Sequence, residues 1–154
     1  MSNSIYGWFR FADTDLALAE HALSMHPQPL EAICYHCQQS AEKYLKGYLL
    51  FTGVEFPPKT HNLMQLCAMC STYDSQFDNI QNKCSTLTVY GVQPRYPDEI
   101  YIDEGLMQQA LANAKQIRSF EPLMEVRQQL EQAAGVSNNK EISDLHQNKS
   151  ISSP

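Results

Sequence analysis

Residues 34–47 read CYHCQQSAEKYLKG and lie inside the longest amphipathic segment of the chain, which runs from about residue 30 to residue 52. Apolar side chains recur in this segment every three or four positions, which is the period of an α-helix. On a helical wheel, one arc is apolar and consists of Cys37, Ala41, Tyr44, Leu45, Tyr48 and Phe51. We therefore predict one continuous helix that packs this arc into a core.

The other face of the same helix is polar. His36, Gln39, Lys43 and Lys46 fall on one narrow stripe with Glu42 beside it, and we expect these groups to point outward. Such a stripe has the charge and the hydrogen-bonding groups to bind a phosphate or a nucleobase. The alternative is a solvated face on which Glu42 pairs with Lys46 one turn later.

Two CxxC pairs, Cys34 with Cys37 and Cys67 with Cys70, raise the question of a zinc site. Zinc-binding pairs normally lie in tight turns, because two thiolates must converge on one ion. Both pairs here lie within helical periodicity, where a free cysteine behaves as a small hydrophobe. We therefore expect buried thiols, no metal site and no cofactor.

Composition limits the classes of function. With 154 residues and 43% apolar content, the chain can form one ordinary domain. A net charge of -6 argues against binding of long nucleic acids. The odd number of cysteines and the absence of a signal-peptide pattern predict a cytoplasmic protein, and no apolar run is long enough to cross a membrane.

Four further segments show helical signals. They run over residues 5–24, from an expected N-cap at Thr60 to about residue 73, from Asp74 to about residue 89, and from Asp103 onward with a break near Pro122. Residues 91–102 contain two prolines without periodicity and are predicted to form a loop. We predict an all-α, up-and-down bundle of four to five helices over residues 1–134, followed by a disordered tail over 135–154.

Four motifs resemble, in order, those of HEPN domains, the nucleotide-binding domains of higher eukaryotes and prokaryotes. They are the region from Trp8 to Ala17, the segment from His36 to Lys46, the stretch PKTHNL at 58–63 and the stretch RYP at 95–97. The resemblance covers about residues 5–120. It implies a HEPN-like helical bundle, a homodimer, a nucleotide or RNA ligand, and a small nucleotidyltransferase as partner.

Many HEPN domains are metal-independent ribonucleases that carry an arginine followed, after four to six residues, by a histidine. None of Arg10, Arg95, Arg118 and Arg127 has a histidine at that spacing. The chain therefore resembles the branch without catalysis of its own. Two alternatives stay open: a toxin-like endoribonuclease of a toxin–antitoxin pair that uses Arg95 with His36 or His61, and a purely structural interaction module.

Two short segments add candidate binding residues. Lys59 and His61 lie at an expected helix start, where exposed amides favour anions, although His61 could simply close that helix end. Arg95 and Tyr96 combine a planar cation with a stackable ring. The structural alternative is that Pro97 turns the chain and Arg95 packs against Glu42.

Overall fold

The computed structural model describes residues 2–92 and 101–135, and every regular element within them is helical. The six α-helices are α1 (Ser2–His21), α2 (Leu30–Phe51), α3 (Leu63–Ser71), α4 (Gln81–Thr88), α5 (Glu104–Arg118) and α6 (121–135). Short 3-10 turns cover Ala22–Ser24 and Ser75–Ile80. The predicted all-α bundle is confirmed. It has one helix more than expected, because the segment after Asp103 forms two helices rather than one broken helix.

Helix α2 is the central element and is unbroken, as predicted. It ends where Gly53 adopts a φ of 103°, a conformation that side chains with a Cβ rarely adopt. The amide of Val54 then donates to the carbonyl of Leu49 at 3.1 Å, and the amide of Gly53 donates to that of Leu50 at 3.0 Å. This pattern satisfies carbonyls that the helix end would otherwise leave unpaired.

The start of α3 differs from the prediction. Asn62, not Thr60, is the N-cap, and its side chain accepts from the amides of Met64 and Gln65 at 2.9 and 3.3 Å. Thr60 instead accepts from the amide of Asn62 at 3.1 Å. Asn and Thr side chains both suit the N-cap position, so the sequence pattern does not separate them.

All five cysteines are buried and free. Burial raises the pKa of Cys34 and of Cys37 to about 12, so these thiols stay protonated. The prediction that both CxxC pairs belong to helices with buried thiols is confirmed. Phe51, by contrast, is predicted to lie in the core but is 39% exposed, at the last residue of α2, so this prediction is wrong.

Helices α1 and α2 lie unusually close together at Gly47. A Cβ at this position would come within 2.9 Å of two ring carbons of Phe9. Two turns earlier in α2, Ser40 donates a hydrogen bond to the carbonyl of Ala12 at 2.8 Å. This close approach fixes the register of the two helices and brings the polar residues of α1 against the polar stripe of α2.

Several predictions fall outside the described residues. These are Arg95, Tyr96, most of the predicted loop at 91–102, and residues 136–154 of the predicted tail. Within the described ranges, no helix is both long enough and apolar enough to cross a membrane.

Candidate functional site

Two buried carboxylates organise the polar face of α2, and the first is Asp15 of α1. Its Oδ1 lies 2.9 Å from Nδ1 of His36, and its Oδ2 accepts a hydrogen bond from Nζ of Lys43. Asp15 is 6% exposed, whereas both partners reach partly into solvent. The carboxylate of Asp15 therefore contacts both an imidazole and an ammonium group of α2.

The second carboxylate, Glu42, repeats this arrangement. Its Oε1 lies 2.9 Å from Nδ1 of His61, and its Oε2 lies 3.2 Å from Nζ of Lys46. Glu42 is 4% exposed and Lys46 is 6% exposed, so this ion pair is buried. His61 is different, because 67% of its side chain is exposed.

Two glutamines lie between these centres. Gln38 is fully buried and donates to the carbonyl of His61 at 3.0 Å, with a longer contact of 3.4 Å to Glu42. Gln39 donates to the Oε1 of Gln38 at 2.8 Å. Gly91 packs closely on Gln38, since a Cβ there would approach its Nε2 to 3.1 Å. The amides thus extend the hydrogen-bond network from Glu42 toward the surface.

The expectation that the whole stripe points outward is wrong for Glu42 and Lys46. Trp8 of α1 covers Lys46, whose Nζ lies 5.7 Å from the centre of the indole ring. The segment before α3 covers Glu42 through His61. Helical periodicity reports which face is polar but not which neighbouring segment packs on it, so burial of the ion pair could not be deduced.

The remaining predicted residues take separate positions. His61 does not lie in the first turn of α3, because it precedes the N-cap Asn62. Lys59 is exposed and forms no ion pair within the described ranges. Arg95 and Tyr96 lie outside those ranges, so both their role in binding and the alternative that Arg95 packs against Glu42 stay predictions.

A third polar cluster was missed by the sequence analysis. Asp13 of α1 accepts two hydrogen bonds of 2.7 Å from the guanidinium of Arg127 in α6 and one from the hydroxyl of Tyr44 in α2. Arg118 of α5 adds a contact of 3.3 Å. The partners are distant in sequence, and the local sequence around an arginine does not predict which carboxylate it will pair with. This cluster ties α6 to the rest of the bundle.

The Asp13 cluster gives a pH dependence. Burial alone would raise the pKa of Asp13, but hydrogen bonds from Arg127 and Tyr44 and the charges of Arg127 and Arg118 outweigh burial and lower it. The stabilisation is therefore complete above the unfolded-state pKa of about 3.9 and is lost as the pH falls through the lower folded-state value. We expect Asp13→Asn to be less stable than wild type at pH 7.

The difference in the free energy of unfolding between wild type and Asp13→Asn should shrink as the pH falls below the unfolded-state pKa of about 3.9. Denaturant unfolding followed by circular dichroism at several pH values measures it. Asp78→Asn, at an exposed carboxylate whose one side-chain hydrogen bond within the described part of the chain comes from Ser71, is the control. A difference that does not shrink at all as the pH is lowered through the acid range would show that the carboxylate of Asp13 is not held by the two arginines.

We define the α2 polar surface as His36, Gln39 and His61 together with the carboxylates, lysines and amide that contact them. The contacts described above determine what this surface can bind. Each imidazole uses Nδ1 on a carboxylate, and neither Nε2 forms a hydrogen bond among the residues that the structure describes, so Nε2 can serve a ligand. Each lysine has its charge balanced by the same carboxylate. The surface therefore offers directional hydrogen bonds with little net charge. No group of three or more metal-binding side chains occurs among the residues that the structure describes.

Comparison with known proteins agrees with the helical bundle. The family model of the HEPN domain matches residues 5–124. The crystal structure of TT1696 from Thermus thermophilus superposes with a TM-score of 0.62 at 23% identity, over 82% of this chain and 99% of that one. The structure of ST0689, described as an archaeal HEPN homologue, gives a TM-score of 0.58 at 26% identity, over 82% and 97%.

No curated protein gives a significant match to the sequence. The family model covers more than half of the chain, and it spans the α2 polar surface together with its supporting residues in α1. This chain is a member of the HEPN domain family.

Proposed function

We propose that this HEPN protein binds a mononucleotide at the α2 polar surface and has no catalytic activity of its own. The observation that carries this proposal is the duplicated arrangement in which Asp15 and Glu42 each bridge an imidazole and a lysine. The bridging fixes the orientation of His36 and His61. Their Nε2 atoms and the amide of Gln39 supply the donors and acceptors that the edge of a nucleobase needs.

The charge balance argues for a small ligand rather than a polynucleotide. Lys43 and Lys46 are already paired with carboxylates, and the protein carries a net charge of -6. Binding of long nucleic acids depends on the release of counterions by free cations and weakens steeply with salt. A ligand that is recognised by hydrogen bonds should instead bind with little dependence on salt concentration.

Calorimetric titration with AMP, GMP, CMP and UMP tests the proposal. We expect at least one of these nucleotides to bind saturably. His61→Ala and Gln39→Ala should each raise its dissociation constant about tenfold or more, which corresponds to a loss of about 1.4 kcal/mol in binding free energy. Gln65→Ala, at an exposed glutamine on α3, is the matched control and should leave binding unchanged. Absence of saturable binding for all four nucleotides would refute the proposal.

A second candidate function is that of a protein interaction module, favoured by an apolar groove of about 740 Å³ at one end of the bundle. Trp8, Leu50 and Phe51 line it, and Phe56 at its edge is 79% exposed. The occupant that we propose is a second copy of the chain, since the adjacent surface carries both Glu55 and Lys59 and can pair with itself. Membership of the HEPN family also suggests a small nucleotidyltransferase as a separate partner.

Sedimentation velocity tests the homodimer. Wild type should sediment as a dimer and Phe56→Glu as a monomer, whereas Tyr101→Glu, at another exposed aromatic residue, should remain dimeric. A monomeric wild type would exclude this contact.

A nucleotidyltransferase gene beside the gene for this chain would identify the second partner for a binding assay.

A toxin-like endoribonuclease is the third candidate, favoured by the fixed and exposed imidazole of His61. A histidine whose Nδ1 is held by a carboxylate can accept a proton at Nε2. RNA incubated with wild type, with His61→Ala and with Arg95→Ala provides the test. Cleavage by wild type that both variants lose would favour the enzyme over the binding protein.

A further inference from the structure

Between α1 and α6 lies a cleft of about 500 Å³, which we call the α1–α6 cleft. This volume is within the range of pockets that bind small molecules. The apolar lining of the cleft comes from Tyr6 and Phe9 of α1 and from Leu130 of α6, of which Phe9 is 2% exposed. This lining suits an aromatic or branched apolar group.

The charges at the floor of the cleft are matched internally. Arg127 makes its two 2.7 Å hydrogen bonds to Asp13, and its guanidinium lies 5.7 Å from the centre of the Phe9 ring. A ligand cannot take either group without breaking a bidentate pair, which is among the stronger polar contacts in proteins. The paired charges of Asp13 and Arg127 are thus not available to a ligand in the cleft.

The rim carries two charges of opposite sign, Arg10 from α1 and Glu131 from α6. Both are exposed, and neither forms an ion pair within residues 2–92 and 101–135. The guanidinium of Arg10 lies 4.9 Å from the centre of the Phe11 ring, a weak contact at an exposed site that a carboxylate can replace. One cation and one anion therefore remain for a ligand.

We propose that the α1–α6 cleft binds a small zwitterion with an aromatic ring, of the size of an aromatic α-amino acid. The ligand's carboxylate pairs with Arg10, its ammonium group pairs with Glu131, and its ring packs against Tyr6 and Leu130. Leu130 and Glu131 lie beyond residue 124, where the match to the family model ends. The cleft thus includes residues that the family model does not cover, and it is separate from the α2 polar surface.

Titration calorimetry with L-phenylalanine, phenethylamine and 3-phenylpropionate tests the proposal, since the two analogues each lack one charge. L-Phenylalanine should bind with a dissociation constant of about 1 mM or below, and each analogue should bind about tenfold more weakly. Arg10→Gln should weaken the binding of L-phenylalanine but not that of phenethylamine, which lacks the carboxylate. Glu131→Gln should weaken the binding of L-phenylalanine but not that of 3-phenylpropionate, which lacks the ammonium group.

Glu125→Gln, at an exposed glutamate on α6 outside the cleft, is the matched control and should leave all three affinities unchanged. Both test residues are exposed, so the variants should fold, and circular dichroism checks this. Absence of saturable binding of L-phenylalanine up to about 10 mM would overturn the proposal. Equal affinity for L-phenylalanine and both analogues would overturn it as well.

Discussion

Glu42→Ala is expected to lower the free energy of unfolding by about 3–5 kcal/mol, because it leaves the ammonium group of Lys46 buried without its counter-charge. Lys46 is 6% exposed and lies beneath Trp8, so it cannot reach water without moving that ring. Gln38 and His61 lose a hydrogen-bond acceptor at the same time. Denaturant unfolding followed by circular dichroism measures the loss.

Two further variants distinguish the loss of this ion pair from a general destabilisation of α2. Replacing both partners, Glu42→Leu with Lys46→Met, should recover most of the lost stability, since no buried charge then remains unpaired. Asp15→Ala should cost less than Glu42→Ala, because Lys43 is partly exposed and can turn toward solvent. If Glu42→Ala costs less than about 1 kcal/mol, the range for exposed ion pairs, the pair is not buried.

Phe77→Ala is expected to destabilise the fold by a comparable amount, about 3–5 kcal/mol, and to lower the melting temperature by on the order of 10 °C. The ring of Phe77 is fully buried. It lies 4.5 Å from that of Tyr48 and 5.1 Å from that of Phe120, between centroids. Removing it opens a cavity where the 3-10 turn before α4 meets α2 and the start of α6.

Phe77→Leu serves as the comparison, since leucine refills most of the cavity and should cost about half as much or less. Tyr73→Ala, at an exposed aromatic residue nearby, should change the melting temperature little. A melting temperature of Phe77→Ala that equals that of wild type would mean that α6 does not depend on this aromatic cluster. Differential scanning calorimetry gives both quantities.

The parts of the fold that local sequence determines could be predicted. The continuous α2 follows from uninterrupted apolar periodicity ending at Gly53, and the starts of helical segments at Asp74 and Asp103 follow from residue type. The HEPN family was recognisable in part because two of its motifs, from Trp8 to Ala17 and from His36 to Lys46, lie within α1 and α2. These features depend on residues that are close together in the chain.

The site could be predicted only in part, because its contacts join distant residues. His36 and Lys43 were singled out, but their shared acceptor Asp15 lies 21 and 28 positions earlier in the chain. The bidentate pair of Asp13 and Arg127 spans 114 positions. A polar residue on a helix gives the same local pattern whether it faces water or a carboxylate on another helix, so these partners appear only in the folded chain.

Buried carboxylates hold His36 and His61 through Nδ1 in this structure. Long-range ¹⁵N–¹H nuclear magnetic resonance spectra of the imidazole rings at neutral pH test this arrangement. The structure predicts that Nδ1 carries a proton in both histidines, with Asp15→Asn and Glu42→Gln each changing only the ring that loses its carboxylate. Neutral rings protonated at Nε2 alone, unaffected by either substitution, would contradict the account.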